Sequence, residues 1–521
     1  MSSVTDHEKA TASELEKTLP GQNTPTSSGG PGGIDNEWTD EEEKTLRNRM
    51  DWYIVPLVTV LYLLCFLDRA NVGNARIQGM QEDLWLTGFR FNWALTIFYI
   101  PYLLVEVPSN ILLKWVGAKV FIPFLVFAFG FCSLCTSFVQ THTHLYIARA
   151  FLGLFEGGTM PGIAFFLSNF YRRGELMFRI GIFISASSMS GAFGGLLATG
   201  LARIPQWGIS STPIHSWRNI FFFEGLATMA IAVVCYFYMY TSPETCNFLT
   251  PRQKYIAMER LHRDSRENAA EKTQMVHVKR GIFNINNLLC ALGFFFNNVS
   301  VQSLALFMPT ILKALGWTST KAQLLTVPPY VLAAAWSIFV SWLSDRYKKR
   351  GIFAIGHSIC AIVGYAILIS TDKAGVKYMA VFFCALGCYP LGPIFLSWGI
   401  NSTIPPFPCS LSPTQLTNCT DAAGPTIRAV SSAYIVSIGT FGAILATWTY
   451  IPSDAPNYIT GHSMNLGAQA CAALIALVGV FYCRWENNKR ARGDRDQRIQ
   501  GMSEVEARKL GYRHPEFRYI E

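Results

Sequence analysis

Residues 53–73 read YIVPLVTVLYLLCFLDRANVG. A helix needs about 20 apolar residues to cross the hydrocarbon of a bilayer, and this run supplies them. Near its end it carries Asp68 and Arg69 side by side. A charge inside a span costs roughly 2.5–3.5 kcal/mol on insertion scales, so a span that keeps two of them marks a site by default.

Eleven more apolar runs follow, at 91–114, 119–138, 145–170, 178–202, 218–240, 286–312, 324–344, 352–371, 377–399, 427–450 and 465–485. The fold class read from them is an all-α membrane protein with twelve transmembrane helices in two six-helix halves. The composition agrees. Of 521 residues 50% are hydrophobic and only 15% charged, against about 25% charged in an average soluble protein. That excludes an ordinary soluble enzyme, and it excludes disorder for the bulk of the chain.

The chain divides accordingly. Residues 1–51 are polar and rich in Ser, Thr, Gly and Pro, and read as a disordered tail without a signal peptide. Residues 52–240 form the first six-helix half. The polar stretch 241–285 is a central loop whose segment PRQKYIAMERLHRDSRENAAEK has the pattern of a surface helix. Residues 286–485 form the second half, and 486–521 a charged tail.

The net charge of +9 does not point to nucleic acid, because the Lys and Arg residues sit mostly in loops and tails. It fits the positive-inside bias of membrane proteins, and the cluster Arg346, Lys348, Lys349, Arg350 places both termini in the cytoplasm. The 13 cysteines lie mostly in apolar segments. Cys132 and Cys135 form a C-x-x-C inside such a run, where a reactive thiolate lacks the polar setting that it needs. No cysteine spacing suggests zinc or a disulfide framework, and no Walker P-loop occurs. Two similar halves and no ATP site favour a carrier driven by an ion gradient, with no cofactor and no metal. No nucleophile–base pattern marks an enzyme.

Ionisable residues within the spans are Asp68, Arg69, Glu106, Arg149, Glu156 and Glu224, all in the first half. The second half offers neutral groups: Asn297, Asn298, Gln302, His357, Tyr389 and Gln469. The first half therefore reads as the holder of charge and protons, the second as the shaper of selectivity and closure. Arg149 and Glu156 are seven residues apart, close to two helical turns, and share a face. A guanidinium fork suits a planar carboxylate, and Glu156 between Phe155 and Met160 is placed to exchange protons near neutral pH. Static roles compete with these. Glu106 serves an interhelical hydrogen bond as readily as a proton, Glu224, close to Arg218 near the outer end of its span, reads as structural, and His357 is a packed polar group. Gly191, Gly194 and Gly195 allow close helix contact.

Several motifs carry a resemblance. Ser341-Trp-Leu-Ser-Asp345-Arg346-Tyr-Lys-Lys-Arg350 is similar to the loop motif of the major facilitator superfamily, with Ser341 where Gly is usual, and the copy after the second span is reduced to Lys114-Trp-Val-Gly117-Ala-Lys119. Leu67-Asp-Arg-Ala-Asn71-Val-Gly73, Glu106-Val-Pro-Ser-Asn110, Arg149-Ala-Phe-Leu-Gly153-Leu-Phe-Glu156-Gly, Ser216-Trp-Arg218, Thr447-Trp-Thr-Tyr450-Ile-Pro-Ser-Asp454-Ala-Pro456 and His514-Pro-Glu-Phe-Arg-Tyr519 resemble the fungal allantoate-permease group of its anion:cation symporter branch. The resemblance implies proton-coupled import of a small organic anion, nicotinate-, allantoate- or pantothenate-like, by a monomer in a fungal plasma membrane. Export of an anionic metabolite and a transporter-like nutrient sensor are the rival readings. The candidate substrate-binding residues are Arg69, Arg149, Asn297 and Asn298. The candidate proton-coupling residues are Asp68, Glu156 and Glu106. Asp345, Arg346 and Arg350 are the candidate gate.

One stretch departs from the pattern. Residues 402–421, STIPPFPCSLSPTQLTNCTD, have neither a helical nor a strand period. Joining Asn401 to Ala422 restores a short family-like connection. The stretch reads either as an in-frame translated intron or as a long cytoplasmic loop, whose length costs little.

Overall fold

A computed structural model describes residues 38–209, 212–269, 282–347, 349–401, 424–502 and 513–520. The stretch 402–421 lies outside them. By its contacts the chain divides into residues 1–44 and 45–521.

In the first unit, Thr39 and Glu42 form a reciprocal cap. The Glu42 amide donates to Thr39 Oγ1 (3.3 Å) and the Thr39 amide to Glu42 Oε2 (3.1 Å). This capping box satisfies two amides that a helix start leaves orphaned. It explains why α1 (Asp40–Ala75) starts inside the stretch expected to be disordered up to residue 51, a correction to that boundary.

The first half continues with α2 (Arg90–Val116), α3 (Ala118–Thr136), α4 (His142–Glu156), α5 (Thr159–Ser168), α6 (Arg173–Leu201) and α7 (Trp217–Tyr238). The surface helix α8 (Pro251–Ala269) follows. The second half is α9 (Ile285–Ala314), α10 (Ser319–Tyr347), α11 (Arg350–Ser370), α12 (Ala374–Asn401), α13 (Gly424–Ala446) and α14 (Ile459–Ala491). With α4 and α5 counted as one broken span, six spans stand on either side of α8. Among the described residues, nine helical segments are long and apolar enough to cross a membrane alone.

The fourth span departs from the continuous helix expected at 145–170. It breaks at Gly157–Gly158. A Cβ at Gly153 or Gly157 would meet the backbone carbonyls of Phe98 and Tyr102 on α2. Small residues let α4 and α2 approach backbone to backbone, which sets Arg149 and Glu156 against α2. A short hairpin, β1 (Trp207–Ile209) with β2 (Thr212–Ile214), joins α6 to α7, and sequence reasoning did not foresee it.

The start of α9 and the end of α14 share one face of the bundle, since the spans alternate in direction. At the opposite, distal face the halves are bonded together. Gln78 donates to Gln323 Oε1 (2.8 Å), and Lys313 Nζ and Ser319 Oγ both donate to the Ile77 carbonyl (3.0 and 2.7 Å). Asn92 Nδ2 donates to the Thr447 carbonyl (2.6 Å), and the Thr96 and Thr447 hydroxyls meet at 2.8 Å. Gly73 faces the Leu306 carbonyl so closely that a Cβ there has no room. Gly191 and Gly195 likewise abut Tyr330 and Thr326 of α10, the close helix contact expected of them.

Candidate functional site

Asp68, Arg69, Arg149, Glu156 and Glu224 converge where α1, α4 and α7 meet, beside Ser133 of α3. Asp68, Arg149, Glu156 and Glu224 are each 5% exposed or less. Neighbours on a helix point about 100° apart, so Asp68 and Arg69 reach different partners on α4. Arg69 Nε and Nη2 both lie 2.6 Å from Glu156 Oε1. Arg149 Nη1 stands 3.7 Å from Asp68 Oδ2, a longer contact without a hydrogen bond. Asp68 Oδ1 accepts from Ser133 Oγ at 2.5 Å. The shared face of Arg149 and Glu156 thus serves two separate ion pairs with α1. Two helical turns, about 10 Å, hold them too far apart to pair with each other.

The two arginines differ in what surrounds them. The Arg69 guanidinium lies over three rings: Phe66 at 4.8 Å, Phe98 at 5.2 Å and Tyr102 at 4.8 Å. Such contacts are worth about 2 kcal/mol when desolvated. Arg149 has one ring, Phe221 at 5.6 Å, and its Nε and Nη2 are buried without a hydrogen-bond partner. Glu156 Oε2 and Asp68 Oδ2 are likewise buried and unbonded. Both arginines line a small cavity with Leu95, Phe98, Tyr99 and Leu306. Its volume of about 10 Å³ is near the minimum for one water, so a solute reaches these groups only when the halves part.

Glu224 is held by α1. Its Oε2 accepts from Asn71 Nδ2, while Arg218 Nη1 donates to the Ser137 carbonyl (2.7 Å). Glu106 is half-buried on α2, within electrostatic reach of Tyr102.

In the second half, Asn297 and Asn298 bond within their own half. Asn297 Oδ1 accepts from Gln469 (3.4 Å), and Asn298 Nδ2 donates to the Gly439 carbonyl of α13 (2.6 Å). Gln302, one turn along α9, reaches across: its Oε1 accepts from the Tyr99 hydroxyl at 3.3 Å. Ser133, Tyr99 and the three rings over Arg69 are site residues that the sequence reading missed. A hydroxyl or a ring in a span has no signature until its neighbour is known. His357 is satisfied, with Nδ1 at 2.8 Å from the Phe353 carbonyl and Nε2 accepting from Trp336. Arg346 is exposed and lies 5.5 Å over Trp342, and Arg350 is buried at the start of α11. The Asp345 side chain lies outside the described residues.

At the proximal end the final residues are docked. Arg490 donates to Glu486 (3.1 Å) and to the Phe517 carbonyl (3.0 Å), and Trp398 Nε1 donates to the Ile520 carbonyl (2.8 Å). The charged tail from residue 486 thus contains a buried arginine, Arg490.

The sequence profile of the Major Facilitator Superfamily matches residues 58–447. An uncharacterised transporter of Schizosaccharomyces pombe is 31% identical over 87% of this chain and 87% of its own length. The high-affinity nicotinic acid transporter of Saccharomyces cerevisiae is 28% identical over 92% of this chain and 85% of its own. Among solved structures, an inward-facing bacterial homologue of the human lysosomal transporter Spinster superposes with a TM-score of 0.62 at 15% identity, covering 84% of this chain and 97% of that one. A D-xylose–proton symporter superposes with a TM-score of 0.58 at 14% identity, covering 82% and 97%. At such identity the superpositions show a shared fold. The chain belongs to the major facilitator superfamily and is a multi-pass membrane transporter, not an enzyme.

Proposed function

We propose that this transporter imports a small organic anion together with protons across a fungal plasma membrane, with both termini in the cytoplasm and the distal face outside. The observation that carries the reading is Arg149. A buried guanidinium with two unbonded nitrogens and a distant carboxylate is under-satisfied, and a buried donor left unpaired costs about 1–3 kcal/mol. A carboxylate entering the cavity would supply both hydrogen bonds in the planar geometry that guanidinium prefers.

Coupling follows from the second pair. Glu156 holds Arg69 through one oxygen, and its other oxygen is unbonded. A proton on Glu156 discharges that pair and releases Arg69 toward the same cavity. An anion then meets two cations, whereas with Glu156 ionised one of them is already neutralised. Closure of the distal face seals the loaded site, and rocking of the halves opens the other side. The likeness to a nicotinic acid transporter favours a compact carboxylate such as nicotinate.

The test is uptake of labelled nicotinate, allantoate and pantothenate by cells expressing the chain, with and without a protonophore. Accumulation of one of them that collapses with the protonophore supports the reading. Uptake indifferent to the proton gradient removes the coupling, and failure of small carboxylates to compete removes the anion.

A further inference from the structure

The motif around Thr447–Asp454 has no part in the charge site, yet its first four residues occupy a defined place. They leave the distal end of α13 as a turn in which Thr447, Thr449 and Tyr450 are at most 2% exposed. This turn is what α2 touches across the seal. Asn92 Nδ2 donates to the Thr447 carbonyl at 2.6 Å and to the Tyr450 carbonyl at 3.4 Å, and Thr96 meets the Thr447 hydroxyl. The Tyr450 ring lies 5.2 Å from Phe307 of α9, itself buried against Phe91 of α2.

The turn is pinned from behind. The Tyr450 hydroxyl shares a hydrogen bond with His462 Nδ1 (3.1 Å) and accepts from Asn465 Nδ2 (3.3 Å), both on α14. His462 is 1% exposed and Asn465 is fully buried. The imidazole also faces the Tyr450 ring edge-on at 5.4 Å. Tyr450 therefore joins two surfaces: its backbone meets Asn92 of the first half, and its hydroxyl meets α14 of the second.

We propose that the Thr447–Tyr450 turn is the second half's plug in the distal seal, and that His462 is a positioning residue that sets the plug through the Tyr450 hydroxyl. The inference rests on the contacts of the seal and does not depend on which solute is carried or on proton coupling. The distal seal must open once in each transport cycle, so the strength of this anchor sets how often the closed state gives way. Losing one buried hydrogen bond shifts a two-state balance by about fivefold.

The experiment uses the full chain in sealed membrane vesicles, with a membrane-impermeant thiol reagent on the side away from the termini. Leu95, buried behind the seal beside Arg69, is changed to cysteine as a reporter, and labelling of the parent chain is subtracted. His462→Phe keeps the ring volume and removes the hydrogen bond. It should speed labelling of the reporter about fivefold. His462→Gln, whose amide can still hold the hydroxyl, should stay near the parent rate. Tyr450→Phe, which removes the oxygen that both His462 and Asn465 hold, should speed labelling at least as much as His462→Phe, and the double variant should match Tyr450→Phe alone. Unchanged labelling in Tyr450→Phe overturns the proposal, including where His462→Phe fails to reach the membrane. So does equal acceleration by His462→Gln, because it would reflect general loosening rather than the hydrogen bond.

Discussion

The two halves share one architecture and divide the chemistry unequally. In the first, beside buried ions near helix ends such as Arg179 and Arg218, ions within the spans are held across helices: Asp68 with Arg149, Arg69 with Glu156, and Glu224 on Asn71. In the second, the described buried ions stand near helix ends, as Arg350, Lys377, Glu486 and Arg490 do. Its mid-span polar groups include amides bonded within the half, such as Asn297 with Gln469 and Asn298 with the Gly439 carbonyl. Amides bonded at fixed partners hold one geometry, whereas ion pairs can exchange a partner for a proton or an anion. The difference teaches that a duplicated fold can keep its helices matched and still put the exchangeable groups on one side.

Removing Arg149 attacks the comparison most directly. Arg149→Ala removes both hydrogen bonds proposed to hold the anion, each worth about 1.5–3 kcal/mol between charged groups, so it should lower uptake at least ~100-fold, while Arg149→Lys keeps part of it. Normal uptake at normal surface expression would move the binding site out of the first half. Glu156→Gln keeps size and hydrogen bonding but cannot cycle a proton. It should reduce pH-driven accumulation about tenfold or more while substrate counterflow continues. Unchanged accumulation would hand the proton to Asp68.

Gln302 tests whether the second half acts through a neutral contact. Gln302→Leu and Tyr99→Phe should each raise KM by roughly three- to tenfold with little change in maximal rate, as expected for one hydrogen bond. A double variant no worse than either single one would tie both to the same contact. A collapse as deep as that of Arg149→Ala would erase the contrast between the halves.

The smallest effect concerns the docked tail. Burial holds His514 below the ordinary histidine value, Glu516 opposes this, and Arg490 reinforces it. Its Nδ1 accepts from the Glu516 amide at 3.2 Å, which requires that nitrogen to be unprotonated. The undocked tail therefore binds more protons than the docked one in mildly acid solution. Docking is fully present above the free histidine value and weakens as pH falls below about 6.5. Limited proteolysis should cut the tail a few times faster near pH 5.5 than near pH 7.5, and His514→Gln should flatten that difference. A pH-independent rate in the parent chain would release His514 from this role.

The sequence by itself determined the membrane class, the twelve spans, the broken symmetry of charge and the candidates Asp68, Arg69, Arg149 and Glu156. These are legible because hydrophobic length and the cost of a buried charge are properties of a segment taken alone. The start of α1 at Asp40 was legible in principle, since Thr39 and Glu42 form a local cap, but composition masked it. Only the tertiary structure decided which ion meets which. Arg69 with Glu156 and Arg149 with Asp68 span 87 and 81 residues of chain, and such pairing depends on helix rotation and adjacency that no local pattern encodes. The same reason hid Gln302 as a residue that reaches across from α9 and Tyr450 as one pinned at the seal. A neutral side chain in an apolar span acquires a role only from the helix packed against it.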